Sequence, residues 1–78
     1  MARLRLFAAA REAAGTGRVV IEGTTVADVL SSAVTRYGST FAALLPTCRI
    51  WVNGEPAEGG TTVAETDEVA VLPPVSGG

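Results

Sequence analysis

The sequence predicts a single α+β domain in which a mixed β-sheet packs on one main helix. Three observations predict it. Strand-like patterning marks both ends of the chain, "ARLRLFA" at Ala2–Ala8 and "EVAVL" at Glu68–Leu72. Between them, "TTVADVLSSAVTRYG" at Thr24–Gly38 carries one continuous apolar stripe at helical spacing. After that helix, Asn53-Gly54 is the strongest two-residue hairpin signal. The 78 residues hold one small core, and a chain this short buries only about 60–65% of its unfolded surface.

Each element follows from its residues. In "ARLRLFA", Leu4 and Leu6 face a core while Arg3 and Arg5 face water, the period of a half-buried strand. "AAREAAG" (Ala9–Gly15) is rich in helix formers and ends on glycine, so it forms a short helical turn. "RVVIE" (Arg18–Glu22) is β-branched, and the short connection makes it pair antiparallel with the first strand. In the main helix, Val26, Val29, Leu30, Ala33, Val34 and Tyr37 make the stripe. Thr25 is placed to cap its start, with Asp28 at the capping-box position, and Gly38 suits a left-handed residue at its end. Ser39 is expected to cap a second turn carrying Phe41, Leu44 and Leu45, stopped by Pro46. "RIWVNGEPA" (Arg49–Ala57) reads as a strand, a tight turn and a short return strand. A turn at Glu65–Asp67 leads to the last strand, and Pro73-Pro74 ends the sheet because proline donates no ladder hydrogen bond. The order places the first and last strands side by side, parallel, at the sheet centre. That is the β-grasp architecture of ubiquitin, with a domain at 1–72 and an extended tail at 73–78.

Composition excludes several functions. There is no histidine, so no Ser–His–Asp or Cys–His relay is available. The single cysteine, Cys48, excludes an internal disulfide and has no partner at metal-ligand spacing; it reads as a small hydrophobe beside a strand. No metal or resident cofactor is expected. A net charge of −2 with no lysine argues against nucleic-acid binding. The longest apolar run, Leu6–Ala10, is far below the roughly 18 residues of a membrane span, and no signal segment opens the chain. The cytoplasm is the expected compartment. Glu55, Glu58, Glu65, Asp67 and Glu68 fall in or beside turns and read as a solvated acidic surface.

The remaining chemistry lies in "PPVSGG", Pro73 to Gly78. Pro73 and Pro74 hold the chain extended as it leaves the sheet. Six residues reach about 20 Å. Gly77 and Gly78, lacking Cβ atoms, fit a channel too narrow for other residues. Pro73, Pro74, Val75, Ser76 and Gly77 would thread a partner's active site and deliver the α-carboxylate of Gly78. A carboxylate is a poor electrophile; joined to AMP it acquires a good leaving group. The chain is then a substrate, and the catalytic residues belong to its partners. If Val69 and Val71 point inward, Ala70 and Leu72 point outward, and Phe7 lies opposite Leu6. Leu72 and Phe7 are therefore the expected partner-docking residues near the tail. The side taken by Trp51 is not decided by the sequence.

These residues resemble the MoaD family, the small sulfur-carrying subunits of molybdopterin synthase, which are ubiquitin-like. The resemblance is carried by "LFAAAREAAG" (Leu6–Gly15), "TTVADVL" (Thr24–Leu30), "VNGE" (Val52–Glu55) and "DEVAVLPPVSGG" (Asp67–Gly78), across essentially the whole chain. Thr66 departs from the glycine common before "DEVA". The resemblance implies that an adenylating enzyme of the ubiquitin-activator type adenylates Gly78. A sulfur donor protein then converts the acyl-adenylate to a thiocarboxylate. The tail enters a large subunit of the MoaE type, in a heterotetramer of two large and two small subunits. There it gives sulfur to the dithiolene of molybdopterin, in molybdenum cofactor biosynthesis. Three other readings stay open: a carrier for thiamine, cysteine or another metabolite, a ubiquitin-like protein modifier, and a plain interaction module with an inert tail.

Overall fold

The computed structural model describes residues 1–74. Five strands form one mixed sheet: β1 (Ala2–Leu6), β2 (Arg18–Ile21), β3 (Arg49–Val52), β4 (Glu55–Pro56) and β5 (Glu68–Leu72). Helices α1 (Ala8–Ala14), α2 (Val26–Tyr37) and α3 (Ser39–Leu44) intervene, and a 3₁₀ turn follows α3 at Leu45–Thr47. The sheet order is β2-β1-β5-β3-β4. β1 and β5 pair in parallel, and all other pairings are antiparallel. This is the β-grasp arrangement expected from the sequence.

The core lies between α2 and the inner face of the sheet. Leu4 and Leu6 of β1, Val69 and Val71 of β5, and Val26, Val29 and Ala33 of α2 are all buried. Phe41 of α3 is fully buried and is stacked obliquely on Tyr37, with ring centroids 5.4 Å apart. The amphipathic stripe of the sequence thus becomes the helix face that closes the sheet.

The start of α2 is tied down at three successive donors, which a helix end otherwise leaves unpaired. Val26 N–H donates to Thr61 O and Ala27 N–H to Gly59 O, both at 2.9 Å. Asp28 N–H donates to Thr25 Oγ1 at 3.2 Å. Thr25 is therefore the cap read from the sequence. The Asp28 carboxylate accepts from the Thr24 hydroxyl at 3.1 Å. Gly23 just before it takes φ 153°, and a Cβ there would lie 2.6 Å from Val29 N, so the approach to the helix requires glycine.

Two local expectations differ in detail. Gly38 has positive φ (89°) but an extended ψ of −165°, so it reverses the chain without closing a left-handed helical cap. Ser39 is the first residue of α3 rather than its cap; Gly38 caps it, and no side chain serves. With no residue between the two helices, one glycine must end the first and open the second. Pro46 lies within the 3₁₀ turn rather than simply stopping the helix.

The far end of the sheet is locked by side chains. Asn53 (φ 50°) and Gly54 (φ 82°) form the tight β3–β4 turn with the positive φ values that a type I′ turn needs. Asn53 Nδ2 donates to Asp67 Oδ1 at 3.0 Å, and Glu68 N–H donates to Asn53 Oδ1 at 2.9 Å. Asp67 Oδ2 accepts from Ala64 N–H at 2.8 Å. The hairpin turn thereby fixes the entry to β5.

Phe41→Ala is expected to remove about 3–5 kcal/mol. That is a large share of the roughly 4–12 kcal/mol available to a domain of this size, so urea denaturation should show a collapsed midpoint. The Asp67 carboxyl is held below its ordinary pKa, first by the Ala64 N–H and then by the Asn53 amide. Its contribution is full above the ordinary carboxylate range and is lost as pH falls through its lowered folded value. The melting temperature should therefore decline on acidification below pH about 4, and Asp67→Asn should flatten that decline.

Candidate functional site

Parallel pairing of β1 with β5 decides where the site lies. Leu6 is registered with Val71, so Phe7 and Leu72 emerge at the same end of the sheet. The ladder runs one step further, with Phe7 N–H donating to Val71 O at 3.3 Å. The tail therefore leaves the sheet beside the β1–α1 junction. Pro73 is half-buried and Pro74 exposed. Neither can continue the ladder as a donor. Val75, Ser76, Gly77 and Gly78 lie outside the described residues.

The junction itself is tightly made. Phe7 O accepts from Ala10 N–H at 3.0 Å and from Arg11 N–H at 3.3 Å, so Phe7, the residue between β1 and α1, caps the helix through its backbone. Ala8 takes a left-handed φ of 49° to turn the chain, at a cost of roughly 1–2 kcal/mol for a residue with a Cβ. Phe7 is half-buried rather than fully presented. The Arg5 guanidinium carbon lies 5.1 Å from its ring centroid, within cation–π range.

Outward-facing residues of the sheet form ordered rows. Arg18, Arg5, Ala70, Trp51 and Pro56 are registered across all five strands. From the strand spacing this row spans about 19 Å. A second, shorter row sets Leu72 against Arg49. Ala70, Leu72 and Trp51 are each half-buried, whereas Val69 and Val71 between them are fully buried. The alternation read from the sequence is therefore correct for β5, although Leu72 is only partly accessible. Ile50 and Val52 pack against the core, which places Trp51 on the outer face. Trp51 could not be assigned from its own strand, because only Arg49 on its side of "RIWV" is polar and a four-residue run is too short to fix the alternation. Its register with Ala70 settles the matter.

On the outer face Ala70, Leu72, Trp51 and Pro56 make an apolar stretch over β5, β3 and β4 with Glu68 and Arg49 at its edges, while β1 and β2 carry Arg3, Arg5 and Arg18 beside the exposed Val20. Arg5 Nη1 lies 3.7 Å from Glu68 Oε1. Cys48 takes no part. Its thiol is half-buried, donates to Leu44 O at 3.4 Å, and is pushed up in pKa by burial, which keeps it protonated.

The family model described as the ThiS family matches residues 4–78. The crystal structure of SAMP1 from Haloferax volcanii is 34% identical, with 97% of each chain covered and a TM-score of 0.81. The solution structure of small archaeal modifier protein 1 from Methanosarcina acetivorans is 33% identical, covering 99% of this chain and 95% of that one, with a TM-score of 0.85. A Pyrococcus furiosus protein provisionally assigned as subunit 1 of a molybdopterin converting factor is 25% identical, covering 95% and 97%, with a TM-score of 0.79. No curated protein sequence matches the chain significantly.

Two measurements check the outer face. Trp51 is the only tryptophan, so its fluorescence should be readily quenched by acrylamide in the native protein; strong protection would place it in the core. Leu72→Asp should change stability by no more than about 1 kcal/mol, as expected away from the core; a collapse of the melting temperature would show that Leu72 is a packing residue.

Proposed function

We propose, from the premise that this chain belongs to the ThiS family, that it is a ubiquitin-like sulfur carrier whose working group is the carboxylate of Gly78. The observation that carries this reading is the course of β5. The central strand ends at Leu72, two prolines turn the chain off the sheet, and the half-buried apolar rows of Trp51, Ala70 and Leu72 lie beside the exit. A partner that takes the tail thus has a surface to hold.

The chemistry is done on this chain by other proteins. A carboxylate oxygen of Gly78 attacks the α-phosphate of ATP on an adenylating enzyme, releasing pyrophosphate and leaving an acyl-adenylate. A sulfur nucleophile from a donor protein then attacks the carbonyl carbon. AMP departs; with a persulfide donor the product is an acyl disulfide, and a thiol then attacks the donor's own sulfur, breaking the S–S bond to form a new disulfide and leave the thiocarboxylate. Residues 73–77 supply reach, with the absence of side chains at Gly77 easing passage through a narrow channel. The destination we favour is the dithiolene of molybdopterin. Transfer would take place in a large subunit of the MoaE type, within a heterotetramer and in the cytoplasm. The resemblance in "LFAAAREAAG" and "DEVAVLPPVSGG" and the Pyrococcus furiosus likeness support this destination. Delivery of sulfur to thiamine or cysteine synthesis would use the same first two steps.

A second reading is favoured by a specific observation. Two structures of small archaeal modifier protein 1 are among the similar chains at 33–34% identity. On that reading the activated Gly78 carbonyl is attacked by a lysine amine of a target protein, displacing the activating group and forming an isopeptide bond. This chain has no lysine, so its own side chains would not extend such a conjugate.

Reconstitution separates the readings. The wild-type chain, a variant lacking Gly78 and a variant with one residue added after Gly78 are each incubated with the adenylating enzyme, ATP and a sulfur source. Intact mass is then measured. The wild type alone should gain the mass difference of sulfur for oxygen, while all three keep the same melting temperature. Lysine-linked conjugates without thiocarboxylate would favour the modifier reading. An unchanged wild-type mass, or equal reaction of the altered tails, would overturn the proposal.

A further inference from the structure

The basic half of the outer face has no role in the chemistry above, yet its arrangement is costly. Arg5 on β1 and Arg18 on β2 are directly opposed across an antiparallel pair. Like charges in that position destabilise a sheet. The chain has eight acidic residues and six arginines, so an acid opposite Arg5 was available to the composition. Arg11 from α1 joins the two. Its side chain lies along Gly17, close enough that a Cβ there would sit 3.4 Å from Arg11 Nε. Three elements thus bring three arginines to one hollow of about 420 Å³, floored by Gly17 and walled by Phe7, with no acid in its lining.

Little satisfies these groups from within. Among the described residues the ion pair found is Arg5–Glu68, long at 3.7 Å, and Glu68 lines the neighbouring hollow rather than this one. Arg5 Nε is buried with no hydrogen-bond partner. Guanidinium groups present planar forks that match carboxylates.

We propose that this hollow receives an acidic segment, carrying at least two carboxylates, from the protein that takes the tail. Two features select this occupant. Arg5 and Arg18 continue the same cross-sheet row as Ala70, Trp51 and Pro56, so a partner lying on the apolar half reaches these two arginines without turning. The hollow is also more than ten times the roughly 30 Å³ share of one water molecule. A single small anion would leave most of it to solvent. The arginine end then sets the orientation of docking, and the apolar end supplies buried area. The identity of the partner rests on the carrier reading; the acidic recognition does not.

The test separates the two. Amide spectra of the ¹⁵N-labelled protein are recorded with hexaglutamate, and separately with inorganic phosphate, at matched charge and low salt. Hexaglutamate should shift Arg5, Arg11, Gly17 and Arg18 selectively and saturably. The shifts should weaken with added salt and be lost in Arg11→Gln. No shifts, or an equal response to phosphate, would overturn the proposal. In the reconstituted reaction, Arg18→Glu should raise the KM for this chain about tenfold, with kcat little changed, since oriented charge pairs act on encounter. The same variant should match or exceed the wild-type melting temperature, because it turns a like-charge pair into an opposite one. An unchanged KM would remove the arginines from docking. Absence of reaction in the wild type would instead count against the carrier reading and leave the spectral result standing.

Discussion

The parallel pairing of β1 with β5 is the contact on which the remaining structure depends. It joins strands far apart in the chain, and closing so long a loop is entropically unfavourable. Burial offsets that cost. Leu4, Leu6, Val69 and Val71 come together under α2 with essentially no exposed surface. The Asn53–Asp67 lock and the Thr25 cap hold the intervening segments in register around it. The same pairing brings Leu72 and the residue after it out beside Phe7 and the start of α1. A tail that leaves from the middle of the sheet can be handled by a partner without loosening the core.

The two faces of the sheet have divided labour. The inward residues of the central strands, Leu4, Leu6, Val69 and Val71, are fully buried and set stability. Outward residues carry two different chemistries, apolar at the half-buried Trp51, Ala70 and Leu72 and basic at the half-buried Arg5 and the exposed Arg18. The period of two along each strand makes this division possible, because changing one side chain leaves the opposite face untouched. The opposed arginines run against stability, and the Ala8 backbone takes a conformation that most residues avoid. Both departures adjoin Phe7, next to the exit of the tail. Local rules broken around one place are a common mark of a working site.

Much of the fold was legible in the sequence because its signals are local. The alternation in Ala2–Leu6, the stripe from Val26 to Tyr37 and the Asn53-Gly54 turn each name an element through its own residues. The cap at Thr25 was equally plain. Gly38 and Ser39 were misread in detail because two helices share a single boundary residue, and sequence alone does not say which one it serves. Trp51 was undecidable for a different reason: its side is set by pairing with Ala70, a contact between strands distant in sequence. The arginine hollow went unseen on the same account. Arg5, Arg11 and Arg18 look like three ordinary surface charges until β1, α1 and β2 are folded together. Alternation put Leu72 and Phe7 opposite their buried neighbours, but their partial burial reflects contacts that the pattern does not contain.

The central claim is that this domain presents the carboxylate of Gly78 for activation and sulfur loading. The most direct measurement is the chemical state of that group in the cell. The protein should be recovered under non-reducing, rapidly quenched conditions, digested, and its C-terminal peptide analysed by mass spectrometry, with an alkylating reagent added to trap a thiocarboxylate. The account predicts a fraction of peptides bearing the alkylated thioacid on Gly78. Peptides ending only in an unmodified carboxylate, under conditions where the pathway is active, would contradict it.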